Sequence, residues 1–254
     1  MNKTVALWCH PRSMSTSVER LMRERGDFEC LHEPFMYHYY LNQKHRNMPH
    51  FEPKPDHPVT YNGVRDMIFE KAKTSQVFFK DMAYYVVSDI VTDTSLRTSV
   101  EHCFLIRNPK AAIASYYKLD KELTLPEIGI EAQWRVYSHL VDSGIKPVVI
   151  QAESIRKDPR TAITNWWNEI DLQSKDSAFE WDKKQPEDWK QVAGWHQKSM
   201  QSTSIQPWTD EDAKKEADRF EVVAIEAPHL RAYLKHHEVF YERLKYESLQ
   251  FTTA

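Results

Sequence analysis

The segment His10-Pro11-Arg12-Ser13-Met14-Ser15-Thr16-Ser17 crowds four hydroxyls and a guanidinium into one short stretch. An apolar run, Val5 to Trp8, precedes it and is of strand length. After it, Val18, Leu21 and Met22 recur at i, i+3, i+4, as on the inner face of a helix. A loop between a buried strand and a helix start brings together the free N–H groups of the first turn, the hydroxyls of Ser13, Ser15, Thr16 and Ser17, and the charge of Arg12. Those donors suit a phosphate or a sulfate. Gly-x4-Gly-Lys-Ser/Thr is absent and the segment has no Gly, which argues against ATP held with magnesium. Thr16 and Glu19 have the spacing of a capping box. Such a box accounts for one hydroxyl, not for the cluster.

A second strand, His102 to Ile106, runs into Arg107-Asn108-Pro109, with Ser115 further on. Asn108 suits the N-cap and Pro109 the first helical position. Arg107 then lies at a strand end, with Ser115 about two turns into the helix. The pair can grip a second phosphate, Arg107 as a two-pronged donor. The alternative is an Arg paired to a carboxylate and a Ser packed in mid-helix.

Transfer to a hydroxyl also needs a proton acceptor and cations facing the leaving group. Two strand ends offer them. Phe28 to Leu31 leads into His32-Glu33-Pro34-Phe35, and Val77 to Phe79 leads into Lys80-Asp81-Met82. Glu33 and Asp81 are candidate proton acceptors and Lys80 a candidate stabilising cation. The competing reading is a salt bridge of Glu33 with a nearby Arg and a local ion pair of Lys80 with Asp81. His10, beside the first loop, is a reserve candidate. The other histidines, His236 and His237 included, lack the spacing of a metal site.

Two anion loops in this order, Pro-Arg-Ser-x-Ser-Thr and then Arg-Asn-Pro-x5-Ser, resemble those of sulfotransferases that use 3′-phosphoadenosine 5′-phosphosulfate. The resemblance implies that Arg12, Ser13, Met14, Ser15, Thr16 and Ser17 hold the 5′-phosphosulfate, and Arg107 and Ser115 the 3′-phosphate. His32-Glu33-Pro34-Phe35 is similar to the Glu-Pro-Phe element of bacterial members, in which the Glu is the base. Lys80-Asp81-Met82 is similar to the Lys-Thr-His element of the animal enzymes, but with Asp81 and Met82 in place of Thr and His. Arg12 and Met14 also stand where those enzymes carry Lys and usually Gly, so the chain resembles the bacterial small-molecule and carbohydrate branch more closely. A late loop closes over the nucleotide in such enzymes, and Lys198, Ser202 and Thr203 are placed there by resemblance. The implied activity is sulfuryl transfer to a hydroxyl, or an amine, of a small-molecule acceptor, with no metal. A nucleotide-dependent phosphotransferase and a non-catalytic nucleotide-binding protein are the alternatives.

The elements around these motifs alternate strand and helix. A further strand is expected at Pro147 to Ile150, with helices over Glu127 to Ser143, Pro159 to Ile170 and Leu230 to Leu249. This implies an α/β fold with a mainly parallel central sheet flanked by helices, as one domain over residues 1–254, and the resemblance implies the P-loop NTPase-like sulfotransferase type. Prolines keep Asn47 to Pro58 irregular, which suits a substrate loop over about 42–62. The Trp-rich stretch at about 181–208 is a candidate cap, although for each Trp taken singly a core position is favoured. A net charge of −3 and a pI near 6.5 speak against a general nucleic-acid binder. Cys9, Cys30 and Cys103 lie in or beside strands, as unpaired buried thiols do in a reducing compartment. With no apolar run of about 18 residues and no leader before the first strand, a cytoplasmic protein without membrane contact is expected.

Overall fold

Strands apolar on both faces must be covered on both sides, and the five strands here form one all-parallel sheet between helices. In a computed structural model, which describes residues 2–195 and 201–249, β1 (Thr4–Cys9) and β3 (Val77–Met82) are buried throughout. They pair with each other. β2 (Glu29–His32) continues the sheet beyond β3, and β4 (Glu101–Ile106) and β5 (Val148–Gln151) continue it beyond β1, giving the order β2-β3-β1-β4-β5. Helices fill the crossovers: α1 (Ser15–Glu24), α2 (Tyr61–Ala72), α3 (Val87–Ile90), α4 (Thr94–Ser99), α5 (Pro109–Tyr117) and α6 (Ile130–Asp142); α7 (Ala152–Lys157) and α8 (Pro159–Glu169) come after β5. Two longer helices, α9 (Asp210–Glu226) and α10 (Leu230–Tyr246), follow the last strand.

This order fixes where a ligand can sit. The chain leaves β1 toward one edge and β4 toward the other, so the connections after these adjacent strands diverge. They leave a crevice at their carboxyl ends. Parallel register puts Cys9 level with Met82 and His32 level with Lys80. All the strand-end motifs therefore emerge at one edge of the sheet. Gln133 of α6 braces the crevice from below, its Nε2 donating to the carbonyls of Trp8 and Leu105, each at 3.0 Å.

Helix boundaries differ from the sequence expectation in ways that have local causes. Gly129, at φ 82°, ends a 3-10 turn over Pro126–Ile128, so α6 starts only at Ile130. A Cβ at Gly129 would stand 3.1 Å from the Tyr84 ring and 3.2 Å from His10, so glycine lets this turn close on the first loop. α2 and α9 were not anticipated, although Thr209 and Asp212 form a complete capping box at the start of α9. The expected box at Thr16 and Glu19 does not form. Met14 caps α1 in the left-handed region, and Glu19 is drawn into the core instead. Residues 47–58 are irregular, as the prolines require. Trp8, Trp166, Trp167 and Trp189 are core residues. Cys9 and Cys103 are buried, Cys30 is half-buried, and all three are free thiols. Among the described residues no helix is long and apolar enough to cross a membrane.

Candidate active site

The loop after β1 turns sharply because Arg12 and Met14 both take positive φ, 64° and 76°. Two such non-glycine residues cost about 1–3 kcal/mol each, strain of a kind that clusters at ligand-binding loops. The turn sends Met14, Ser15, Thr16 and Ser17 to the wall of a cavity of about 320 Å³. Ser13 faces the other way. Its hydroxyl is buried without a hydrogen-bond partner and does not line the cavity, contrary to its expected role.

At one end of the cavity the two sequence motifs meet. Arg12 Nε donates to Ser115 Oγ at 3.0 Å and its Nη1 to the Trp195 carbonyl at 2.9 Å. Arg107 Nη1 donates to the Arg12 carbonyl at 2.7 Å, and Nη2 is ion-paired to Glu216 of α9. Thus the carboxylate partner that the sequence left open for Arg107 exists. Burial, reinforced by Arg107, lowers the Arg12 guanidinium to about 10, which leaves it cationic at neutral pH. His10 locks the loop in place. Its Nε2 accepts from the Arg107 N–H at 3.0 Å and its Nδ1 donates to the Pro11 carbonyl at 3.1 Å. Burial lowers it to about 3, so it is neutral and structural.

Arg156, Trp208, Asp212, Glu216 and Arg219 line the same end; Trp208 closes the Trp-rich stretch expected as a cap, and sequence reasoning missed the other four. The Arg107 and Arg156 guanidiniums lie 5.4 and 5.1 Å from the Trp208 ring, within cation–π range. Arg156 Nε is buried and has no partner.

Glu33 and Lys80 define the other end. Glu33 takes φ 46°, with its N–H on the Lys80 carbonyl at 2.9 Å, so its side chain turns in over the sheet edge. Its carboxylate is ion-paired to Lys80 and accepts from the Tyr85 hydroxyl at 3.1 Å. Glu33 is in a salt bridge, but with Lys80 rather than with an arginine, and Lys80 pairs with Glu33 rather than with Asp81, so the bridge joins two of the candidate catalytic residues. Burial opposes the charge on Glu33, but Lys80, then His32, hold its carboxyl below the usual range, and Glu33 in turn raises Lys80. Behind the pair, His32 Nε2 stands 3.8 Å from Glu33, and His32 Nδ1 is 2.6 Å from Glu19. Arg23 and the Trp189 indole, each at 2.7 Å, also donate to Glu19.

Asp81 is not part of the cavity. Side chains alternate along a strand, so with Lys80 and Met82 at the cavity wall Asp81 points away. Its oxygens accept from the N–H groups of Phe35 at 2.8 Å and Met82 at 3.2 Å, anchoring the turn that carries Glu33. Burial, with Glu33 adding to it, pushes its carboxyl well up. Ser202 and Thr203 also stand outside the cavity wall; their carbonyls accept from Trp181 at 2.8 and 2.9 Å. Lys198 lies outside the described residues.

Around Glu33 and Lys80 the wall is aromatic and apolar, with Tyr40, Tyr84, Tyr85, Tyr116, Met48 and Met82. Met48 comes from the irregular 42–62 stretch and Trp195 from the late region. The Trp195 indole donates to the Pro49 carbonyl at 2.8 Å, tying the two segments together over the opening. Among the described residues no group of three His, Cys, Asp or Glu side chains could hold a metal ion.

A parallel sheet with a loop of hydroxyl and guanidinium groups at its switch point and a buried carboxylate–ammonium pair on the same cavity makes a site chemically suited to an anion. The chain belongs to the sulfotransferase domain family, whose model matches residues 3–235. Two Arabidopsis thaliana proteins are similar to it, "Branched-chain-amino-acid aminotransferase-like protein 2", 24% identical over 80% of this chain, and "Branched-chain-amino-acid aminotransferase-like protein 1", 26% identical over 78%. The chain spans 36% of the length of each. Among solved structures, the "Sulfotransferase Domain from the Curacin Biosynthetic Pathway" is 11% identical, with a TM-score of 0.48 over 87% of this chain and 98% of its own. The "Sulfotransferase Domain from the Synechococcus PCC 7002 Olefin Synthase" is 14% identical, with a TM-score of 0.44 over 87% and 95%.

Proposed function

We propose that this chain moves a sulfuryl group from 3′-phosphoadenosine 5′-phosphosulfate to a hydroxyl, or an amine, of a small-molecule acceptor, and that one domain carries the whole site. The observation that carries this reading is the single cavity with Arg12, Arg107 and Ser115 clustered at one end and the Glu33–Lys80 pair at the other. The donor set fits such a nucleotide. Arg12, Arg107 and Arg156 outnumber Asp212 and Glu216 around the first end, and the unpartnered Arg156 Nε is a buried donor that an anion would satisfy. Ser15, Thr16 and Ser17, at the start of α1, suit the 5′-phosphosulfate.

The donor supplies the sulfuryl group and a phosphate that leaves. Glu33 is ionised at neutral pH and stands at the cavity wall, so it can accept the acceptor's proton. As Glu33 takes that proton its hold on Lys80 weakens. The ammonium of Lys80 then turns to the charge growing on the leaving oxygen, which couples proton uptake to stabilisation of the departing group. Tyr40, Tyr84, Tyr85 and Tyr116 offer apolar faces for the acceptor's body and hydroxyls for its orientation.

Thermal unfolding with adenosine 3′,5′-bisphosphate, AMP and ATP with magnesium tests the reading. The bisphosphate should raise the melting temperature most, because it alone offers a 3′-phosphate to Arg107. Equal stabilisation by AMP overturns the 3′-phosphate assignment, and a magnesium requirement in transfer would favour a phosphotransferase.

A further inference from the structure

The guanidinium assigned to the 3′-phosphate already holds an anion. Arg107 is ion-paired to Glu216, and Glu216 reaches it from α9, which stands across the cavity from the strand that ends in Arg107. Both side chains are largely withdrawn from solvent, 11% and 18% exposed. A phosphate bound to Arg107 and a carboxylate bound to the same guanidinium face repel each other, so one must give way. The surroundings provide for that. Arg219, one turn further along α9, lies 3.8 Å from Glu216. A second cavity of about 160 Å³ adjoins the first and is lined by Ala111, Ala114, Ser115, Lys118, Glu216 and Arg219. It gives the Glu216 side chain room to swing and two cations, Lys118 and Arg219, to meet it.

We infer that Glu216 is a built-in competitor of the nucleotide 3′-phosphate: it leaves Arg107 for Arg219 when nucleotide binds, and recaptures Arg107 to hasten nucleotide departure. The inference rests on the donor reading above. Its consequence is kinetic. The spent nucleotide keeps the 3′-phosphate, so a carboxylate that competes for Arg107 shortens the time for which product blocks the site, and product release limits many transferases. AMP makes no claim on Arg107 and is indifferent to Glu216.

The test is isothermal titration and stopped-flow fluorescence with adenosine 3′,5′-bisphosphate and with AMP, using the whole chain. Trp208, beside both Arg107 and Arg156, serves as reporter. Glu216→Gln should bind the bisphosphate about tenfold more tightly, about 1.4 kcal/mol, with the gain in slower dissociation and AMP binding unchanged. Arg219→Ala should weaken bisphosphate binding in the natural chain but not in the Glu216→Gln background, because Arg219 acts through Glu216. Unchanged or weaker bisphosphate binding by Glu216→Gln overturns the inference, as does a loss from Arg219→Ala in both backgrounds, which would make Arg219 a direct phosphate ligand. If the natural chain binds the bisphosphate and AMP equally, it is the donor reading that fails, and the inference falls with it.

Discussion

Lys80 and Glu33 are almost wholly removed from water, with side chains 0% and 4% exposed, so neither charge is tolerable without the other. Removing one partner of such a pair strands the other, at about 3–5 kcal/mol, whereas replacing both by apolar groups is often neutral. Glu33→Gln keeps one oxygen that accepts from Lys80 and should lie at the low end of that range; Glu33→Ala, which also strips the Tyr85 hydroxyl of its acceptor, should lie at the high end. For a chain of this size that range means a melting temperature lower by about 6–20 °C. Lys80→Met alone, which strands Glu33, should cost the same range, and the double substitution Glu33→Gln with Lys80→Met should recover to within about 1 kcal/mol of the natural chain, a non-additivity of at least ~5 kcal/mol. Urea unfolding of the natural chain, Glu33→Gln, Lys80→Met and the double variant measures it.

Additive losses would refute the pairing. The pH dependence supplies a second check. Glu33 is lowered from 4.5, so its contribution is present above about that pH and is lost as pH falls through its lower folded value. Lys80 is raised from 10.5, so its contribution is present below that pH and is lost as pH rises through its higher folded value. Between about pH 5 and 10 the pair contributes fully in the natural chain, whereas in Glu33→Gln the buried Lys80 loses the partner that raises it and can shed its proton, so the stability gap should be widest near pH 5 and narrow as pH rises toward 10. Recovery of stability in the double variant should bring no recovery of transfer, since loss of a general base typically costs about 10²- to 10⁴-fold in rate.

Arg107→Ala should abolish the preference for adenosine 3′,5′-bisphosphate over AMP, a loss of about 1.5–3 kcal/mol for a charge-assisted contact, read by titration calorimetry. Asp81→Asn turns one acceptor of the Phe35 and Met82 N–H groups into a donor and should cost about 1–3 kcal/mol in denaturant unfolding, with nucleotide affinity unchanged; a collapse of transfer in a chain of natural stability would restore Asp81 as a base. His10, neutral down to about pH 3, should show no ring titration between pH 5 and 8 in a nuclear magnetic resonance experiment; a midpoint near 6.5 would break the link between the loops after β1 and β4.

The sheet was legible because its strands are apolar on both faces, and Asn108-Pro109 marked a helix start that the structure repeats, with the Asn108 side chain accepting from the Lys110 N–H. From parallel strands alone it follows that Arg12, Glu33, Lys80 and Arg107 share one edge. The error at Asp81 was avoidable, since a period of two along β3 cannot send both Lys80 and Asp81 to the same side. Glu19 is different. Its spacing from Thr16 satisfies a local rule, but its carboxylate serves His32, Arg23 and a Trp189 indole 170 residues away, contacts that outweigh a solvent-exposed cap. No window around Glu19 contains that information.

Legibility fails most at the end proposed for the 3′-phosphate, for a physical reason. Arg12 and Arg107 belong to strand ends and can be placed by topology, but Arg156, Trp208, Glu216 and Arg219 come from elements after the last strand, whose docking is set by side-chain packing. Phe220, Val223, Ala224 and Ala227 bury the inner side of α9, and that packing turns Glu216 to Arg107. A carboxylate in a phosphate subsite makes no sense as a local motif, because alone it repels the ligand. Once Arg219 is one turn away, the same carboxylate has two cations between which to choose. The site then holds excess positive charge without leaving Arg107 unpaired, and a nucleotide bound as proposed would have a competitor that helps it leave.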